Sequence, residues 1–189
     1  MKYCMFLVIV FIVSCSFAPK GYENLNNQFD FDNAFIRAVS DGNIEAVEYL
    51  IPKVDVNMSV VLEGSPIVIA VKNQDVVVTE RLIVAKADIN VPDSAGNYPI
   101  HIAVKNSDVA TLKVLVSAKV KINKQNVSGD TALHVAVVAD IPKDKRQEIV
   151  KILLEKNADS DVFNDENLTA KQLAHNKKQS DIIALLGGL

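Results

Sequence analysis

One octapeptide recurs at a fixed interval. Gly129-Asp130-Thr131-Ala132-Leu133-His134-Val135-Ala136 is echoed upstream by Gly96-Asn97-Tyr98-Pro99-Ile100-His101-Ile102-Ala103, with the same offset at every position. One interval further back, Glu63-Gly64-Ser65-Pro66-Ile67-Val68-Ile69-Ala70 keeps the Pro, the apolar positions and the final Ala, and loses the Gly and the His. A unit of this length is one supersecondary element, too small to bury its own apolar face. Copies stacked in series bury it against each other, so the period predicts a solenoid with one continuous core.

The pattern inside each unit is helical. In the first, residues 33–39 predict one helix, Asp41-Gly42-Asn43 a turn, and Ile44, Val47, Leu50 and Ile51 line one face of a second helix. The second helices of three units run into Val54-Asp55-Val56-Asn57, Ala87-Asp88-Ile89-Asn90 and Val120-Lys121-Ile122-Asn123, with the asparagines one interval apart. A period of about 33 residues around this core resembles the ankyrin repeat, a β-turn plus two helices. The resemblance covers about residues 31–186 and implies an all-α ankyrin-repeat solenoid of about five repeats with short β-turn fingers. The expected divisions are repeats at 31–63 (an N-terminal cap), 64–96, 97–129 and 130–167, then a partial repeat at 168–189 as C-terminal cap. The interval from Ala136 to the equivalent Ala174 is five positions longer than that from Ala103 to Ala136. Pro142 and the charges within 139–147 predict a surface loop there.

Ankyrin repeats place Gly where the second helix ends and the backbone turns left-handed. The equivalent positions here hold Lys53, Lys86, Lys119 and Asn157. A non-Gly residue in that conformation costs about 1 kcal/mol, so strained or altered turns and a less stable array are expected.

Function classes narrow on composition. The formal net charge is −3 and mixed in sign, which argues against nucleic acid, whose phosphates need a basic face. No metalloprotease, nucleophile-elbow, CxxC or phosphate-loop motif occurs. The resemblance gives His101 and His134 a structural role, bonding backbone in the adjoining turn. Equivalent residues of neighbouring repeats sit roughly 8–10 Å apart, too far for two imidazoles to share a metal. In the family the Thr131 position caps the helix start, and Tyr98 occupies it one repeat earlier. No catalytic residue, cofactor or metal is expected.

The N-terminus is of another kind. Met1-Lys2-Tyr3 is followed by an uncharged apolar run through Val13 and then by Ser14-Cys15-Ser16. That run is shorter than the ~20 residues a spanning helix needs, and the pattern is that of a signal peptide. Ile12-Val13-Ser14-Cys15 resembles a bacterial lipobox, implying a signal peptide over 1–15 and a lipid on Cys15. Ordinary cleavage, with a freely secreted or periplasmic product, is the alternative. The chain carries 17 Lys against 3 Arg, a bias of AT-rich bacterial genomes. Residues 16–30, polar and rich in Asn, are expected to form a flexible tether. Both cysteines, Cys4 and Cys15, precede it, so no internal disulfide is available to the repeats.

The resemblance implies binding of a protein partner through finger tips and the concave face, by a monomer, without catalysis; an accessory domain to an enzyme is a further alternative. The first tip, Met58-Ser59-Val60-Val61-Leu62, is unusually apolar. Met58, Val60, Leu62 and Phe163 are therefore the candidate contact residues.

Overall fold

The computed structural model describes residues 18–59, 64–118 and 120–187. Cys15 and the leader lie outside the described residues, as do Val60, Leu62 and Lys119. Among the described residues ten helices form five successive pairs. The first pair is α1 (Gln28–Ser40) and α2 (Ile44–Leu50), the latter continued by a 3₁₀ turn at Ile51–Lys53. Then come α3 (Pro66–Lys72) with α4 (Val76–Val84), and α5 (Pro99–Lys105) with α6 (Val109–Ser117). The last two pairs are α7 (Ala132–Val138) with α8 (Lys143–Glu155), and α9 (Ala170–Asn176) with α10 (Ser180–Gly187). Odd helices pack on odd helices in succession, and even on even, which makes a two-layer all-α solenoid.

This stacking accounts for the helix sequences. An inner helix such as α3, α5 or α7 is flanked on both sides and backed by its outer partner. Six consecutive residues of each are buried, at 66–71, 99–104 and 132–137, and such helices are apolar all round. The outer helices keep a polar face: α4 buries Val78, Thr79 and Leu82 and exposes Glu80 and Arg81. Asn43, Asp75 and Asp108 cap α2, α4 and α6 by accepting from the N–H of Ala46, Val78 and Thr111 at 3.1, 2.9 and 3.1 Å. Each cap is worth about 1 kcal/mol.

Of the four turns expected to be strained, Lys86 (φ 70°) and Asn157 (φ 61°) are left-handed. Lys53 is not, because Pro52 carries the chain out of α2 through the 3₁₀ turn instead. The turns between paired helices add more: where the first has Gly42 (φ 67°), the next two have Gln74 (φ 58°) and Ser107 (φ 56°), and the last has Lys178 (φ 55°).

Two segments differ from expectation. The five extra residues of the fourth repeat do not all loop out. Only 139–142 connect the helices, and α8 starts four residues earlier than the period requires, at 13 residues against 9 for α4 and α6. Lys and Glu favour helix, and Pro142 is tolerated because it precedes the first turn. The stretch expected to be tether is also partly folded. Asn27 caps α1 by accepting from Asp30 N–H at 3.0 Å, and Tyr22 and Leu25 pack half-buried against the core.

Candidate protein-binding surface

Four fingers connect the five helix pairs, and in the last three one side chain organises the β-turn. Asp93 Oδ1 accepts from the N–H of Ala95 (3.0 Å) and Asn97 (2.9 Å). Asn126 Oδ1 accepts from Ser128 (3.0 Å) and Asp130 (3.0 Å), and Asn164 Oδ1 from Glu166 (3.1 Å) and Leu168 (3.0 Å). This Asx-turn chemistry fixes a tip with one acceptor. In the first finger Val60 stands one period before Asp93 and carries no acceptor.

The fingers are fastened to each other. Asn126 Nδ2 donates to Asn97 Oδ1 (3.0 Å) and Asn164 Nδ2 to Asp130 Oδ1 (2.8 Å). The last two tips are joined twice more, by Asp165 N–H to the Ser128 carbonyl (3.1 Å) and Gln125 Nε2 to the Phe163 carbonyl (2.9 Å). A side chain at Gly96 would overlap Val127, and one at Gly129 would meet the Asp165 backbone, so the tips touch. At the finger bases the periodic asparagines form a ladder. Asn57, Asn90 and Asn123 accept through Oδ1 from the N–H of Asp88, Lys121 and Asp159 at 2.7, 2.8 and 2.8 Å. The period of these residues is visible in the sequence; the bond that each makes is not.

His101 and His134 are almost wholly buried, at 1% and 0% exposure. His101 Nδ1 accepts from Tyr98 N–H (3.3 Å), and its Nε2–H donates to the Asp130 carbonyl of the next finger (3.0 Å). His134 Nδ1 accepts from the N–H (3.2 Å) and hydroxyl (2.8 Å) of Thr131, and Nε2–H donates to the Leu168 carbonyl (3.1 Å). The Thr131 hydroxyl therefore bonds the imidazole. In the last repeat Thr169 and Gln172 bond reciprocally, hydroxyl from Gln172 N–H (3.2 Å) and Gln172 Oε1 from Thr169 N–H (2.8 Å). With both ring nitrogens committed, each His stitches two repeats together. Burial holds the His101 imidazole below its ordinary range, against the opposing pull of the Asp130 carbonyl and the charges of Asp130 and Asp93.

The candidate contact residues separate in the structure. Met58 is half-buried and packs against the core, so it offers little surface. Phe163 is 57% exposed on the last finger. Val127, on the neighbouring tip, is 72% exposed and escapes the sequence reading. Its equivalents Ser94 and Asp165 are polar, so no period marks it. Lys72 reaches Asp93 of the following finger (3.2 Å), while Lys105, one repeat on, is exposed.

A shallow groove of about 440 Å³ lies between the ends of α4 and α6, lined by Ile83, Ala87, Ile89 and Ala118 beside Lys86, Asp88 and Asn90. Its one hydroxyl, Ser117, donates to the Lys113 carbonyl (2.8 Å). No group of three or more His, Cys, Asp or Glu among the described residues is arranged to hold a metal ion.

Stacked helix pairs joined by fingers and stitched by buried histidines define a class of repeat protein that offers a long surface. A family model of three ankyrin repeats matches residues 67–164, just over half of the 189, and the chain belongs to the ankyrin-repeat family. The match begins in α3 and ends in the last finger, leaving out the first pair and the final pair. No curated protein matches the chain.

Proposed function

We propose that this chain is a non-catalytic protein-binding module that works as a monomer, exported and held at a membrane by a lipid on Cys15. Ankyrin repeats are protein-interaction modules, and the finger tips supply the contact here. The observation that carries this is the pair of exposed apolar side chains, Val127 and Phe163, on two tips fastened by three hydrogen bonds between neighbouring fingers. Apolar groups held rigidly in a polar rim lose little entropy on binding, and a few such residues dominate interface energies. Val60 and Leu62 stay candidate contacts on sequence grounds alone. The anchor rests on Ile12-Val13-Ser14-Cys15 after a short apolar run. No helix among the described residues is long and apolar enough to cross a membrane.

Two measurements test this. Full-length protein and its Val127→Ser/Phe163→Ser variant are used as bait, and the captured partner is titrated against both. Replacing two exposed apolar anchors is expected to weaken it at least about tenfold, or about 1.4 kcal/mol, with the melting temperature unchanged. Equal affinity would move the contact elsewhere. Fatty-acid labelling is expected in wild type and lost in Cys15→Ser; a secreted, unlabelled wild type would favour the free form.

A further inference from the structure

We propose that Phe29 is a bilayer contact that sets the array upright on the membrane, a reading that rests on Cys15 as the lipidated residue. Phe29, in the first turn of α1, is 74% exposed, more than any other large apolar side chain described. It follows Cys15 by only fourteen positions, and the chain from Pro19 onward is fastened. Tyr22 N–H bonds the Pro19 carbonyl (3.0 Å), Gly21 N–H bonds Glu23 (2.8 Å), and Tyr22 and Leu25 pack against the core. Asn26 N–H reaches Asp30 (3.3 Å) and Gln28 Nε2 reaches the Lys53 carbonyl (3.2 Å). From Cys15 to Pro19 is four steps of chain, a reach of at most about 14 Å.

A lipid on Cys15 thus holds this pole of the solenoid at the headgroups, where an aromatic ring is at home. One ring binds no bilayer by itself, but beside an acyl anchor it fixes orientation. The neighbouring charges, Lys20 against Glu23, Asp30 and Asp32, are mostly acidic. The contact therefore suits uncharged or zwitterionic lipid, without help from anionic headgroups.

The chain has no Trp, so Phe29→Trp is a reporter free of background, with Phe163→Trp as the distal control. Full-length protein is reconstituted in phosphatidylcholine vesicles carrying brominated chains, and mass spectrometry reads the lipid on Cys15. Phe29→Trp is expected to shift to the blue and lose most of its emission, while Phe163→Trp and the double variant Phe29→Trp/Cys15→Ser keep theirs. Lipid present with Phe29→Trp unquenched overturns the orientation and leaves the anchor standing. No lipid overturns the anchor and takes this inference with it. Quenching at both reporters means that the array lies flat, which also overturns it. Loss of helical signal in Phe29→Trp would mark the ring as packing and overturn the bilayer contact as well.

Discussion

The two halves of the array follow the same helix plan and are joined differently. One position in the inner helices reads Phe35, Val68, His101, His134 and Gln172 along the chain. In α5 and α7 the imidazole receives its own repeat's backbone and bonds the next finger's carbonyl. In α3 Val68 can do neither, and the buried Ser65 hydroxyl beside it has no partner. The finger that precedes α3 also lacks the Asx acceptor that fixes the others. Packing is complete in both halves, since Phe35 and Val68 are as buried as the histidines. Hydrophobic stacking therefore suffices to build the solenoid. Polar stitching then sets how firmly each repeat is held in register, at about 1 kcal/mol per bond. Residues 28–84 are expected to open before 99–176.

Removing a stitch should have the largest effect. His134→Ala leaves the Thr131 N–H and hydroxyl without their partner and takes one of two donors from the Leu168 carbonyl, and is expected to lower stability by about 2–3 kcal/mol. Metal affinity should not change. Denaturant titration reads the first and calorimetry with Zn²⁺ the second; a metal lost with the ring would overturn the structural role.

Adding a stitch sharpens the same contrast. Ser65→Thr/Val68→His rebuilds the missing bridge and is expected to gain about 1 kcal/mol, seen as slower amide exchange in α3 and α4. Relief of backbone strain is of similar size. Lys86→Gly should gain about 1 kcal/mol at a left-handed residue, whereas Lys53→Gly should gain nothing, because that backbone is helical. Equal gains at the two sites would mean that the strain lies elsewhere.

The smallest effect expected is on pH dependence. Burial depresses the folded pKa of His101 below the unfolded value of 6.5, so as pH falls the unfolded chain takes up the proton first. The contribution to stability is then full above 6.5 and declines as pH drops from there toward the folded value. Melting scans across that range should fall more steeply for wild type than for His101→Gln. Parallel profiles would show that the ring is not linked to folding.

The period makes much of this legible. Helix pairs, finger positions and the two histidines recur at one interval, and stacking one unit on its copy leaves few other arrangements. Features that break the period are harder to read. Pro and charge suggest a loop in 139–147, yet most of that stretch extends α8, since helix formers after a Pro make a sound first turn. Asn-rich residues suggest free chain, although Asn27 is a cap. Exposure is legible least. Met58 packs inward from the apolar finger and Val127 outward from a polar one, so composition points the wrong way.

The Asx turns have an evolutionary consequence. In the last two fingers the hydrogen bonds that shape the turn come from main chain, from Asn126 and Asn164, and from Gln125 Nε2 to the Gly129 carbonyl, none from the side chains of Val127, Ser128, Asp165 or Glu166. Mutations at those four positions leave the turn geometry intact, so selection can rewrite the tips one residue at a time without first finding a compensating change. Recognition can drift quickly on these fingers while the asparagines behind them stand still, and a new partner can be acquired without a new fold.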